Sequence, residues 1–258
     1  MWLFNSSIGR KLIMSVTGIA LVLFITFHGC MNVVALISAS AYNTICQLLG
    51  SNWYAIAATA ALAALVLVHL VYAFILTFQN RKARGNNKYA ITSKPEKVEW
   101  ASQNMLVLGI IIILGLLLHL FNFWYNMMFA EIIGQPTMGG FESTDGFSYI
   151  KQTFSCWVYV VIYVIWIVAI WFHLTHGFWS ALQTLGWSGH IWFKRWKVIG
   201  QVWATVVMAM FLIVCLGFFI SSLAGCDCVG SIDFNLLPFA LGGDEVKEVA
   251  GACCGGCN

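Results

Sequence analysis

The sequence predicts an all-α polytopic membrane protein with five transmembrane helices. Hydrophobic residues make up 60% of the chain and charged residues 9%, proportions far from those of soluble globular domains. Five apolar stretches reach the roughly 20 residues that a helix needs to cross a bilayer: residues 12–37, 54–78, 102–129, 154–185 and 198–221. Their apolar residues are continuous rather than alternating, which favours helices over the strands of a membrane β-barrel.

The first stretch has to be distinguished from a cleavable signal. Two basic residues precede it, and Gly29-Cys30 within it is similar to the cleavage site of a lipoprotein signal. The apolar residues nevertheless continue to Ile37, and His28 directly before the Gly-Cys pair is a poor cleavage context. We therefore expect a retained first transmembrane helix.

Basic residues lie almost entirely in alternate connections between these helices. The N-terminal segment and the second and fourth connections hold most of them: Arg10, Lys11, Arg81, Lys82, Arg84, Lys88, Lys94, Lys97, Lys194, Arg195 and Lys197. The opposite side has Lys151 and Lys247. The positive-inside rule then predicts a multi-pass protein of the cytoplasmic (inner) membrane, with the N-terminus in the cytoplasm and the C-terminus outside. This topology accounts for the net charge of +3, so no nucleic-acid partner is expected.

The chain is expected to comprise a five-helix transmembrane domain over residues 1–222 and an outer tail over residues 223–258. The tail carries Cys226, Cys228, Cys253, Cys254 and Cys257. An oxidising compartment favours disulfides, although an odd number leaves one thiol over, and a metal clip within residues 253–257 is the alternative. The cysteines in and near the helices are isolated and are interpreted as small apolar packing residues: Cys30, Cys46, Cys156 and Cys215.

Histidines occur in four of the predicted helices, where lipid cannot solvate an ionisable side chain. The first three helices carry one each and the fourth carries two, one turn apart: His28, His69, His119, His173 and His176. At about 1.5 Å per residue, His28 and His119 lie about 26 and 27 Å from the cytoplasmic ends of their helices. His69 lies about 17 Å from that side, and His173 or His176 about 15–20 Å. The four helices therefore pair their histidines in an outer and an inner layer.

Facing histidines at equal depth are the ligands that two bis-histidine haems require. A flat ring also needs clearance, and small residues stand four positions from three of the histidines: Ala73, Gly115 and Gly177. His28 has Phe24 and Asn32 at these positions, although Gly29 is adjacent. The alternatives are histidines and small residues that only serve helix packing, or a zinc or copper site, which would gather three or four ligands at one depth. We expect a four-helix haem-binding core.

These residues resemble the di-haem cytochrome b membrane-anchor subunit of succinate dehydrogenase and fumarate reductase, in its single-chain, five-helix form. The resemblance covers residues 1 to about 222 and rests on the order and spacing of several short motifs. The motifs are Arg10-Lys-Leu with Ser15-Val-Thr-Gly18, Val68-His-Leu-Val-Tyr72, Leu118-His119 and Phe172-His-Leu-Thr-His-Gly-Phe-Trp179.

The resemblance implies two haem b groups, one held by His28 and His119 and the other by His69 and His173. It selects His173 over His176 because Gly177 follows the ligand by four, whereas depth slightly favours His176. It also implies a flavoprotein subunit and an iron–sulfur subunit on the cytoplasmic side, which carry out the dicarboxylate chemistry. The chain would then be the quinone-reactive subunit of a succinate:quinone or quinol:fumarate oxidoreductase, and we lean to menaquinol oxidation by fumarate.

A quinone site needs aromatic side chains and groups that exchange protons. Polar and aromatic residues gather beyond the outer histidines: Asn32, Asn122, Trp124, Tyr125 and Asn126. Glu131 is the carboxylate near the end of a helix on that side, and we hypothesise that it accepts or relays a quinol proton. A solvated glutamate at a helix end is the alternative.

Two other classes of protein compete with this interpretation. One is the cytochrome b anchor of a hydrogenase or formate dehydrogenase, which also uses transmembrane histidines. The other is a non-redox polytopic membrane protein whose histidines join helices. A reduced-minus-oxidised visible spectrum separates redox from non-redox proteins, and copurifying flavin separates the two cytochromes.

Overall fold

The five predicted membrane helices are present in the structure. The computed structural model describes residues 6–50, 52–84, 99–137, 139–225 and 229–231. Five helical segments are long and apolar enough to cross a membrane: Ser7–Ile37, Trp53–Ala83, Met105–Ile133, Trp157–Thr184 and His190–Ala224. The chain is therefore an all-α polytopic membrane protein, as the sequence predicted.

The helices are numbered in chain order. The long ones are α1 (Ser7–Ile37), α3 (Trp53–Arg84), α5 (Met105–His119), α8 (Trp157–Thr184) and α9 (His190–Ala224). The short ones are α2 (Ala39–Leu48), α4 (Trp100–Gln103), α6 (Ala130–Ile133) and α7 (Gly146–Ser155).

The third membrane segment changes its helical form directly after His119. Leu120–Phe129 form a π-helix, which leads into α6. Gly134 ends the segment with φ 63°, a left-handed conformation that glycine adopts without a steric penalty. A π-helix is rare and frequently marks a functional site, and here it carries Asn122, Trp124, Tyr125 and Asn126 of the predicted quinone site.

Capping interactions join the short helices α2 and α7. Asp145 accepts a hydrogen bond from the Ser148 backbone N–H (3.2 Å) and another from the Asn43 side-chain amide (2.7 Å). Asn43 in turn accepts a hydrogen bond from the backbone N–H of Phe147 (2.9 Å). We call this arrangement the Asn43–Asp145 clasp. It satisfies N–H groups that the first turn of a helix leaves without helical partners.

The described residues fall into two compact units. The first unit contains residues 6–26, 59–84, 99–112 and 169–206, and its core includes Ala101, Leu108 and Ala169. The second unit contains residues 27–50, 52–58, 113–137, 139–168, 207–225 and 229–231. Its core is larger and includes Ile150, Tyr163, Cys215 and Phe218.

The predicted boundary between the helical domain and the tail falls close to the end of α9 at Ala224. The described part of the tail returns to the end of α1, where the Gly230 N–H donates to the Leu36 carbonyl (3.1 Å). The Gly230 carbonyl accepts from the Ala39 N–H (3.1 Å). The predicted disulfides or metal clip of the tail cysteines lie outside the described residues, and both stay predictions.

Candidate functional site

The second unit brings the rings of His28 of α1 and His119 of α5 into edge-to-face contact. Their ring centroids are 5.8 Å apart and their planes are nearly perpendicular, at 87°. These are the two residues that the depth argument placed in one layer. Phe211 of α9 flanks the His28 ring at 5.7 Å.

The first unit brings His69 of α3 and His173 of α8 together in the same way. Their ring centroids are 6.4 Å apart, with 68° between the planes. These two residues are the pair that the resemblance predicted, whereas depth alone slightly favoured His176 over His173. Each unit therefore holds one pair of imidazoles from two different helices.

The spacing of both pairs can be compared with that of shared metal ligation. Two imidazole nitrogens on opposite sides of one metal ion, each about 2 Å from it, place the ring centroids about 6.3 Å apart. A direct N–H···N hydrogen bond of about 3 Å between the rings would place the centroids about 5.3 Å apart. The 6.4 Å separation of His69 and His173 matches the first spacing, and the 5.8 Å separation of His28 and His119 lies between the two. Both separations also lie within the roughly 4.5–7 Å range of edge-to-face ring packing.

The environments of the two imidazoles in the first unit differ. The Nδ1 atom of His69 lies 3.1 Å from the hydroxyl of Thr17. The Nδ1 atom of His173 is buried and has no hydrogen-bond partner. A buried polar atom without a partner costs free energy, and the described residues supply none for this nitrogen.

Small residues leave room beside some of the histidines but not all of them. A Cβ added at Gly177 would contact nothing within 4 Å, so this flank of His173 is open. A Cβ added at Gly115 would instead collide with the indole of Trp166. The prediction that Gly115 leaves clearance beside His119 is therefore wrong for the described structure, since the glycine makes room for an aromatic ring from α8.

Aromatic side chains surround His119 in the second unit. Phe123, Trp166 and Tyr163 lie at centroid distances of 5.2, 5.6 and 6.4 Å. Sequence reasoning missed Trp166 and Phe211, because both approach from helices that are distant in sequence. An aromatic environment excludes water, and exclusion of water is one means by which a protein tunes the potential of a metal centre.

His176 has partners of its own in the first unit. Its Nδ1 lies 3.2 Å from the Glu99 carboxylate, and its ring packs against Trp179 at 4.9 Å. Lys197 donates to the other Glu99 oxygen at 2.6 Å. His176 thus has a polar partner within the protein, and the choice of His173 as the ligand stays a prediction.

Most polar side chains of the predicted quinone cluster are already hydrogen-bonded within the protein, and one buried polar group is not. Asn122 donates to the Tyr163 hydroxyl (3.2 Å), and Asn32 donates to the His28 carbonyl (2.7 Å). Asn126 donates back to carbonyls of its own helix. The indole N–H of Trp124 differs from these groups, because it is buried and has no acceptor.

Glu131 lies in α6 and is half-buried. A Cβ added at Gly50 would be 3.1 Å from a Glu131 carboxylate oxygen, so the glycine allows this side chain to approach the end of α2. Tyr125 is 37% exposed and stacks on Phe121 and Phe129. Its ring is therefore not enclosed by the described residues of the second unit.

Among the described residues, no group of three or more His, Cys, Asp or Glu side chains is placed to hold a metal ion. The four histidines lie in two separate pairs.

The fold and the site together define a class: a five-helix membrane protein with two facing histidine pairs. Comparison with known proteins gives no closer assignment, since no family model, no curated protein and no solved structure matches the chain.

Proposed function

We propose that this chain is the di-haem cytochrome b anchor of a succinate:quinone or quinol:fumarate oxidoreductase. The observation that carries the proposal is that four histidines from four helices meet in two pairs, with ring centroids 5.8 Å apart for His28 and His119 and 6.4 Å apart for His69 and His173. When bound, haem b supplies reversible one-electron transfer. The family assignment rests on the order and spacing of the sequence motifs.

Four side chains of the chain would hold the two haems: His28 and His119 one, His69 and His173 the other. Each imidazole comes from a different long helix, so one haem would join α1 to α5 and the other would join α3 to α8. Phe123, Trp166 and Phe211 keep water away from the first of these pairs. Two factors tune the redox potential of a bound haem. One is the exclusion of water, and the other is hydrogen bonding to the imidazole nitrogen that does not bind iron.

Trp124 and Glu131 are the residues that we assign to quinone. The buried indole N–H of Trp124 has no acceptor and suits a hydrogen bond to a quinone oxygen. Glu131 is half-buried, and its carboxylate accepts or relays a proton that menaquinol releases. The other polar residues of the predicted cluster position neighbouring side chains and backbone through their own hydrogen bonds.

A flavoprotein and an iron–sulfur protein would dock on the basic connections, which the positive-inside rule assigns to the cytoplasm. Arg81, Lys82, Lys194 and Arg195 are exposed in the first unit. Dicarboxylate chemistry then belongs to the flavoprotein, and this chain binds quinone in the membrane.

The test is a reduced-minus-oxidised visible spectrum of the purified chain, expressed with ample haem supply. We expect two low-spin haems per chain. Replacing His28 or His119 with Ala removes one of them, and replacing His69 or His173 with Ala removes the other. His176→Ala is the matched control. His176 contacts Glu99, so its replacement should leave both haems in place.

A colourless wild-type preparation overturns the haem proposal and favours a non-redox membrane protein. A haem-containing preparation that copurifies with hydrogenase or formate dehydrogenase subunits instead of a flavoprotein overturns the family assignment alone. Loss of a haem in His176→Ala with retention in His173→Ala would exchange the roles of these two residues.

A further inference from the structure

We propose that Thr17 fixes the proton of His69 on Nδ1 and thereby presents Nε2 as the iron ligand. This inference rests on the proposed haem-binding role of His69. Thr17 is a positioning residue, since it acts on the ligand rather than on the iron. It lies 52 positions from His69 in sequence and on a different helix.

The hydroxyl of Thr17 has three polar neighbours and one hydrogen. Its oxygen lies 2.9 Å from the carbonyl oxygen of Ile13, 3.1 Å from that of Met14 and 3.1 Å from His69 Nδ1. Both carbonyls can only accept hydrogen bonds. The single hydroxyl hydrogen is therefore directed to the carbonyls, and the remaining contact requires a hydrogen from the imidazole.

The opposite arrangement is unfavourable. If Thr17 donated its hydrogen to Nδ1, its oxygen would face two carbonyl oxygens at hydrogen-bond distance with no hydrogen between them. Thr17 is 5% exposed, so this repulsion would occur away from bulk water. The neutral imidazole of His69 consequently carries its proton on Nδ1 and a lone pair on Nε2.

The local sequence also fixes the ring in place. Threonine in a helix adopts rotamers in which its hydroxyl bonds the carbonyl three or four residues earlier, and Thr17 bonds both. The next residue, Gly18, lies against the His69 ring, where an added Cβ would be 3.5 Å from Cε1. Two consecutive residues of α1 therefore orient one imidazole.

The partner imidazole has no equivalent support. His173 Nδ1 is buried without a hydrogen-bond partner, so Thr17 is the hydroxyl that acts on this pair. A change at position 17 should affect the haem of the first unit and leave the haem held by His28 and His119 unchanged.

An acceptor at Nδ1–H makes a ligating imidazole more basic, and loss of such a partner weakens metal binding by about 10–100-fold. A more basic ligand stabilises ferric over ferrous iron. If Thr17→Val reduces that preference tenfold, the midpoint potential of the first-unit haem rises by about 59 mV for this one-electron couple.

The experiment compares Thr17→Val, Thr17→Ser and Thr26→Val in the full chain. Thr26 is a matched control, because its hydroxyl also donates to a backbone carbonyl of α1 (Val22, 2.8 Å) and accepts from a side chain (Trp203 Nε1, 3.2 Å). Haem content and both midpoint potentials are measured by optical redox titration. Parallel titrations in the His28→Ala background assign the first-unit haem.

We expect Thr17→Val to raise the potential of the first-unit haem or to lose that haem alone. Thr17→Ser and Thr26→Val should match the wild type. Wild-type potentials in a Thr17→Val chain that retains both haems would overturn the role of Thr17 and leave the haem proposal standing. A wild-type chain without haem would overturn the proposed function itself.

Discussion

Glu99 joins two side chains that come from different helices. Partial burial alone would raise the pKa of its carboxyl, but hydrogen bonds from Lys197 and His176 and their charges hold the pKa below its ordinary value of 4.5. A carboxyl with a depressed folded pKa adds stability above its unfolded pKa, and this contribution is lost as pH falls through the folded value. Glu99 should therefore make the protein sensitive to acid.

Glu99→Gln tests this at the residue scale. We expect the variant to have a lower thermal unfolding midpoint than the wild type at about pH 7, with the difference shrinking toward about pH 4 as the wild-type carboxylate takes up a proton. The effect is small because the Glu99 side chain is 38% exposed. Glu142→Gln, at an exposed carboxylate, is the control. An equal difference at both pH values would contradict the role of the Glu99 charge.

Trp124 is the residue on which the quinone assignment can be tested most directly. Removing its indole N–H in Trp124→Phe should raise KM for menaquinol roughly fivefold in the full complex, which corresponds to one neutral hydrogen bond of about 1 kcal/mol. Trp157→Phe, at a 66% exposed tryptophan, is the matched control. An unchanged KM with both haems in place would remove Trp124 from the quinone site.

Glu131→Gln tests the proton step separately. The amide keeps the shape of the side chain but cannot accept a quinol proton, so we expect lower menaquinol-linked kcat with an unchanged haem spectrum. Unchanged turnover would return Glu131 to the role of a solvated carboxylate at a helix end.

Some contacts between individual residues can be predicted from the sequence, and others cannot. His28 could be paired with His119 from the sequence because the helical rise converts residue number into depth. Depth left His173 and His176 open as partners of His69, and the choice of His173 came from the resemblance. Thr17 could not be paired with His69 in either way. A threonine anywhere in a membrane helix can hydrogen-bond a carbonyl of its own helix. No pattern in α1 therefore indicates which side chain of α3 will contact Thr17.

The helical elements show the same contrast. Hydrophobic length predicts the five spans, but it carries no signal for a change of helical pitch. Leu120–Phe129 are less apolar than the preceding turns but still belong to the same span, and only the structure reveals their π-helical form. The Asn43–Asp145 clasp was also missed, since its two residues stand 102 positions apart.

Asp145→Ala tests whether the Asn43–Asp145 clasp stabilises the contact between α2 and α7. The change removes the N-cap of α7 and the acceptor for the Asn43 amide, so we expect a loss of about 1–3 kcal/mol in unfolding free energy. Unfolding of the detergent-solubilised protein measures the loss. Thr44→Ala, which removes an exposed hydroxyl from α2, is the control. Equal stability of the two variants would mean that the clasp does not hold α2 and α7 together.

At the scale of the whole molecule, composition and charge give complementary information. Large apolar side chains such as Leu23, Leu114 and Leu223 are more than half exposed, as expected where lipid rather than protein covers the helices. Hydropathy therefore predicts that the chain crosses the membrane five times. It does not indicate which end of each span lies on the cytoplasmic side. The direction comes from the uneven distribution of Lys and Arg.

The predicted orientation can be tested with reporter fusions. An odd number of spans places the two ends of the chain on opposite sides, and the positive-inside rule puts the N-terminus in the cytoplasm. Alkaline phosphatase, which is active only after export, should be active when fused after residue 258 and inactive when fused after Arg84. A cytoplasmic fluorescent reporter should give the reverse pattern. Active phosphatase at Arg84 with inactive phosphatase at residue 258 would invert the topology, and would move the surface proposed for the flavoprotein and iron–sulfur subunits to the other side of the membrane.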